Sequence, residues 1–202
     1  MKMPEHEKTT TQPKFSEAEL LAGCRAGARE ALEALIKQYQ PAVLRVCVSM
    51  LGTREVEDLV QDIFIKILKK IQNFEGRAAL FTWIYEITVN HCRDELRKRK
   101  RRRWFSLHAL PQETVEQIPL EEASASEQME AGEMRYHLRR ALNQLEPKYR
   151  ELVVLRDLEG LSYEEIAKAR GLAEKLVKSR LYQARQILAA SMKKYLEEVA
   201  HV

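Results

Sequence analysis

Apolar residues recur at three- and four-residue spacing through most of the chain, and that period predicts helices rather than strands. Ser16 with Glu19 three residues later forms a capping box. It opens a helix whose inward face includes Leu20, Leu21, Cys24, Leu32, Leu35, Ile36 and Tyr39. Pro41 suits the first turn of the next helix, which passes Leu44, Cys47 and Val48 and stops at Gly52. A third helix over about 54–72 turns Val56, Leu59, Val60, Ile63, Phe64, Ile67, Leu68 and Ile71 inward. After a loop at 73–79 containing Gly76, a fourth begins near Leu80 and buries Trp83, Ile84, Ile87 and Leu96.

The period is lost over 105–126, where Pro111 and Pro119 stand among Ser, Ala and Glu, the composition of a linker. It returns as helices at about 127–145 and 148–158, separated at Pro147. The stretch 161–188 then reads as two short helices around a tight turn. Ser162 and Glu165 form a second capping box, Ile166 and Ala167 point to a core, and Gly171 supplies the turn. Leu172, Leu176, Val177, Leu181 and Leu188 give the second of these helices an apolar stripe. Its other face carries Lys175, Lys178, Ser179, Arg180, Tyr182, Gln183 and Arg185: cations for phosphates and polar groups for base edges. The chain is therefore expected to be all-α, with two small helical domains joined by a flexible acidic linker and a helix-turn-helix ending the second. The expected divisions are a disordered polar tail at 1–15, a first domain at 16–104, the linker at 105–126 and a second domain at 127–202.

Net charge is only +4, but it is unevenly spread. Residues 97–103 are seven consecutive cations. From Trp104 to Met134 there is no Lys or Arg, while Glu113, Glu116, Glu121, Glu122, Glu127, Glu130 and Glu133 are acidic. The two blocks point to different surroundings. No apolar run approaches the roughly 20 residues that span a bilayer, so no stable membrane insertion is expected. The N-terminus lacks the apolar stretch of a signal peptide. Cys24, Cys47 and Cys92 are an odd number without a CxxC pair, which fits a reducing, cytoplasmic compartment.

Asp58, Gln61 and Asp62 share one helix face, opposite most of the apolar residues of that helix. Spacing alone favours a solvated face, and two acids without further ligands make a poor Mg²⁺ site. His91 and Cys92 are adjacent and point about 100° apart on a helix, so a core cysteine beside a surface histidine fits better than a chelating pair. Trp83, four residues before Ile87, reads as core rather than as a base-stacking platform. No nucleophile–base pair, phosphate-cradling glycine loop or metal cluster supports a nuclease, and no cofactor is expected.

Three segments in order carry a family resemblance: DLVQDIF at 58–64, FEGRAALFTWIYEITVNHCRDELRKRKRR at 74–102, and LSYEEIA with VKSRLYQAR in the helix-turn-helix. The chain resembles bacterial RNA polymerase sigma factors of the extracytoplasmic-function (ECF) group over roughly residues 16–190. The resemblance implies a non-enzymatic specificity subunit that docks on core RNA polymerase, directs it to promoter DNA and helps open the duplex. It implies a polymerase contact at Asp58, Gln61 and Asp62. It further implies −10 element contacts at Asn73, Phe74, Gly76, Arg77, Asn90, Arg93, Arg97 and Lys98, and −35 contacts on the recognition helix. Within that helix Lys178, Ser179, Tyr182 and Gln183 are assigned to base or near-base contacts, and Arg180 and Arg185 to phosphates or a partly structural role. The family also implies an anti-sigma partner clamped between the domains. The acidic linker fits either a solvated tether or a strand that imitates nucleic acid inside the polymerase, and the sequence leaves both open. Glu174 and Leu176 depart from the family's usual small, threonine-containing start to the recognition helix; Glu75, Arg77 and Glu86 invert its usual charges around the −10 loop. A helix-turn-helix regulator acting without polymerase is the competing reading, and the first domain stands against it.

Overall fold

The structure, a computed structural model, describes residues 15–76, 78–109 and 127–200. Most of the expected tail, Arg77 and the linker residues 110–126 lie outside the described residues. Every regular element described is helical. The order is α1 (Glu17–Arg25), α2 (Arg29–Leu51), α3 (Glu57–Lys70), α4 (Leu80–Ala109), α5 (Glu127–Gln144), α6 (Pro147–Val153), α7 (Tyr163–Arg170) and α8 (Glu174–Ala200). A 3₁₀ turn, Ile71–Asn73, follows α3, and a π-helical turn, Val154–Leu158, continues α6.

The boundary expected at Pro41 falls elsewhere. The chain breaks after Arg25, where Gly27 adopts φ +72°, and α2 then runs unbroken through Pro41 to Gly52. A proline inside a helix costs about 3 kcal/mol. Beyond it Ala42, Val43, Val46, Cys47, Met50 and Leu51 are all buried, and full burial of each larger apolar side chain contributes roughly 1.5–3 kcal/mol. Burial outweighs the proline. The fourth helix is also longer than the sequence suggests: α4 carries the basic run in its interior and continues to Ala109, five residues into the expected linker. The cations of 97–102 are thus spread around a helix rather than gathered at a helix end, and several are paired within it, Arg97 with Asp94 at 3.3 Å and Arg99 with Glu95 at 3.0 Å.

In the first half, α1–α4 enclose Leu35, Val43, Met50, Ile63, Ile67, Leu80 and Ile84. The Cys47 and Cys92 sulfurs meet between α2 and α4 at 3.7 Å as free, buried thiols. That contact, together with burial, pushes the Cys92 thiol up, and burial does the same to Cys24. In the second half, α5–α8 enclose Leu145, Leu152, Leu155, Leu161, Ile166, Val177, Leu181 and Ala184. Both capping boxes form as read, at Ser16–Glu19 and Ser162–Glu165. Gly171 ends α7 in the left-handed region at φ +60°, which makes the tight turn into α8.

The halves pack on each other, α2 against α5, α6 and the π turn, and α4 against α7. Gly52 shows how close they come. A Cβ there would collide with the Asn143 side chain, at a residue that also holds φ +71°.

Candidate nucleic-acid interface

Four sets of side chains follow from this packing. On α3 the buried residues Val60, Ile63, Phe64 and Ile67 face the core, which leaves Asp58, Gln61 and Asp62 exposed together on the outer face. Glu57 and Asp58 also stand in the first turn, where the helix dipole favours carboxylates.

The loop after α3 and the first half of α4 hold the second set. Asn73 and Gly76 are exposed, and Gly76 has φ +73°, a conformation that suits glycine. Phe74 is not available as expected. It is 5% exposed, its ring lies 5.0 Å from that of Trp83, and its carbonyl accepts a bond from Arg25. An aromatic at the start of a loop followed by an apolar helix is drawn into that helix's core, and Trp83 serves as its packing partner. Arg77 lies outside the described residues. Asn90 and Arg93 sit side by side on α4, and Arg97 and Lys98 continue the face into solvent. Arg97 and Lys98 also line a groove of about 750 Å³ beside Leu59, Lys66, His91 and Trp104. His91 is half-buried at that groove rather than on open surface; burial, then nearby Lys66, lowers its pKa.

The third set is on α8, whose inner stripe is Val177, Leu181 and Ala184. Leu176, expected in that stripe, is 39% exposed. It lies one residue before Val177, about 100° around the helix, and so joins the outer face. There Lys175, Ser179 and Tyr182 stand in solvent, Tyr182 at 66% exposure, and Arg180 is half-buried. Three members are steadied by neighbours. Lys178 pairs with Glu174 at 2.6 Å and lies 5.4 Å above the Tyr163 ring. Gln183 accepts a hydrogen bond from the Tyr149 hydroxyl at 3.0 Å. Arg185 forms a two-point pair with Asp157, which raises its pKa. Glu174, an apparent repulsion for DNA, thus holds a lysine in place.

The fourth set was not read from the sequence. Charged side chains of the second half reach into the first. Arg150 of α6 donates to the Met50 carbonyl at 2.7 Å, and to those of Asn143 at 2.5 Å and Leu145 at 3.1 Å. Met50 O belongs to the last turn of α2, whose carbonyls lack helical partners. Glu159, with a side chain 2% exposed, accepts from Tyr85 at 2.6 Å and from Arg45 at 2.9 and 3.1 Å. Arg170 of α7 donates to Asn90 Oδ1 at 2.8 Å and reaches Glu151 at 3.4 Å. Glu151 Oε2 lies 3.5 Å from Arg93 Nε, close enough for an ion pair but without a hydrogen bond. The signal was present in the apolar stretch ELVVLRDLEG at 151–160. Charges embedded in such a stretch require partners when buried.

Known proteins share this plan. Two family descriptions match, Sigma-70 region 2 over residues 35–102 and Sigma-70, region 4 over residues 135–188. The chain is 34% identical over 167 residues to the ECF RNA polymerase sigma factor SigE of Mycolicibacterium smegmatis, across 82% of this chain and 63% of that protein, so it spans less than two thirds of that relative. It is 33% identical over 172 residues to the ECF RNA polymerase sigma-E factor of Escherichia coli, across 84% of this chain and 90% of that protein. Among solved structures, the sigma factor RpoE of Bartonella quintana, crystallised with the anti-sigma factor NepR, matches with TM-score 0.61 and 29% identity over 80% of this chain and 96% of that one. CnrH, solved with the cytosolic domain of CnrY, matches in fold with TM-score 0.63 and 23% identity over 87% of this chain and 96% of that one.

Proposed function

This chain belongs to the extracytoplasmic-function sigma factors, and from that premise we propose how its surfaces divide the work. It is a specificity subunit without catalysis of its own, which binds core RNA polymerase and directs it to particular promoters. The observation that carries this reading is the presence of both sigma regions, in order, in one helical chain.

The exposed α3 face of Asp58, Gln61 and Asp62 is the polymerase contact. Two carboxylates and an amide on a rigid helix complement a basic partner surface, which gives speed and register of docking. Asn73 and Gly76 belong to the loop that receives an unstacked −10 base, an exchange that costs a few kcal/mol and is repaid by contacts to the loop. Asn90 reads a −10 base edge, while Arg93, Arg97 and Lys98 hold phosphates. Phe74 supports this loop from below by packing on Trp83.

In the second half α8 enters the major groove. Lys178, Ser179, Tyr182 and Gln183 face base edges, Lys175 joins them on the DNA side, and Arg180 and Arg185 hold the backbone. An anti-sigma protein that engages both halves is the natural negative partner; the similar Bartonella sigma factor was solved in complex with the anti-sigma factor NepR. The working compartment is the cytoplasm, where polymerase and promoter meet; no described helix is long and apolar enough to cross a membrane.

Run-off transcription with bacterial core polymerase, with and without this protein, on a promoter panel tests the reading. Promoter-specific transcripts only in its presence are expected. Failure to bind core polymerase by gel filtration would overturn it.

A further inference from the structure

An aliphatic side chain stands among the groups that α8 offers to DNA. Leu176 lies in the first turn of that helix, which begins at Glu174, and its backbone N–H donates to the Ala173 carbonyl at 2.9 Å. Val177, Leu181 and Ala184 fill the inner stripe, which leaves Leu176 on the outer face at 39% exposure. Ser179 and Gln183 follow it by three and seven residues. At about 100° per residue, the three side chains fall within roughly 60° of arc. A recognition helix sets its N-terminal residues against base edges. We infer that Leu176 is a specificity-determining residue, which reads the methyl group of a thymine within the −35 element. The inference rests on the proposed role of α8 as the −35 recognition helix.

The chemistry of the side chain selects its target. Leucine has no donor, acceptor or charge, so Leu176 neither holds a phosphate nor pairs with a polar base edge. Most groups that bases present in the major groove are donors and acceptors, and the C5-methyl of thymine is the apolar one. Set against a polar edge, Leu176 removes water from hydrogen-bonding groups and returns no bond, which costs free energy. Set against a methyl group, both partners lose apolar surface to the contact. The residue therefore discriminates twice, by attraction to thymine and by penalty against the alternatives. Its neighbours fix the register in which it does so. Lys178 is tied to Glu174 at 2.6 Å and Gln183 to the Tyr149 hydroxyl at 3.0 Å. Polar groups held in this way set where α8 lies in the groove, and Leu176 then meets one base position.

The same helix supplies a control. Ile187 is 42% exposed and lies eleven residues after Leu176 on the same stripe. At 1.5 Å per residue it stands about 16 Å further along the axis, beyond the first turn that meets bases. The experiment uses core polymerase loaded with the full chain, which selects from a duplex pool randomised across both promoter elements. Wild type is expected to enrich a thymine at one −35 position. Leu176→Gln, which keeps a good helix former at an exposed site, should lose that preference and retain the rest of the selected sequence. Ile187→Gln should select as wild type does. Replacing the enriched thymine by deoxyuridine removes the methyl group alone. This should weaken wild-type binding about fourfold, the worth of one buried methyl group, and leave Leu176→Gln unaffected. Tyr182 also presents apolar surface on this face, and the variant comparison separates its contribution from that of Leu176. The deoxyuridine measurement on wild type needs no variant, so it stands whether or not Leu176→Gln folds. A −35 sequence selected without a thymine, equal binding of thymine and deoxyuridine duplexes, or a deoxyuridine penalty that persists in Leu176→Gln overturns the inference alone. Enrichment of a −10 sequence with no −35 sequence overturns the reading of α8, and this inference with it.

Discussion

Helices α4 and α8 carry similar chemistry, an amide and a row of cations along one face, yet they hold it in different states. On α8 the neighbours of the residues proposed to read DNA come from the same half and steady them in solvent: Glu174 and Tyr163 hold Lys178, Tyr149 holds Gln183, and Asp157 holds Arg185. On α4 the neighbours come from the other half and cover them, Arg170 on Asn90 and Glu151 on Arg93. The difference teaches that composition identifies a nucleic-acid helix but does not say whether it is presented. What decides is which element supplies the counter-ions. Those from the same half preorganise a surface, and those from the other half cover one.

The strongest way to break the contrast is to remove the guanidinium that joins the halves. Arg150→Met leaves the carbonyls of Met50, Asn143 and Leu145 without their donor. The loss should be about 2–4 kcal/mol in urea unfolding, because buried acceptors are left unpaired. An unaltered midpoint would show that these carbonyls find other partners. Next in size is Tyr182→Ala on the exposed α8 face, which should weaken −35 recognition by about 1–3 kcal/mol in a polymerase-bound promoter assay while leaving stability unchanged. A smaller loss, about 1 kcal/mol of stability, is expected for Ser162→Ala, which removes the cap that orients α7 and hence Arg170. Chemical denaturation of the two proteins side by side measures it.

The smallest effect is invisible at neutral pH. Burial, and then the bond to Glu159, raise the Tyr85 phenol above its ordinary 10.0. A group whose folded pKa is raised contributes stability that is fully present below the unfolded pKa and is lost as pH rises above it. The packed form should therefore weaken above about pH 10, where a freed Tyr85 ionises. Nearby Tyr39, held up to about 12 chiefly by burial, titrates in the same alkaline range, so the wild type must be compared with Tyr85→Phe. The variant should lose less stability than wild type between pH 9 and about 11. Identical curves would sink the assignment to Tyr85.

Local rules made much of this legible. Both capping boxes, the glycine turn at 171 and the exposed acidic face of α3 follow from spacing alone. Reading failed where tertiary packing outbids a local preference. Pro41 looked like a boundary because its cost is local, while the burial that overrides it is not. Phe74 looked available because its partner Trp83 stands nine residues away across a loop. Leu176 looked like core because the stripe was drawn one position too wide. The contact between the halves was hardest, since Arg45 meets Glu159 across 114 residues of sequence. No period links such positions, and only the oddity of charges inside an apolar run hints that partners exist.

The buried thiols have a practical consequence. All three cysteines, Cys24, Cys47 and Cys92, lie in the first half, and none is accessible. An alkylating reagent added to the native protein therefore finds no exposed thiol, because Cys47 and Cys92 are sealed between α2 and α4 and Cys24 is buried on α1. The labelling rate becomes a clock for loosening of α1–α4, and it needs no engineered probe.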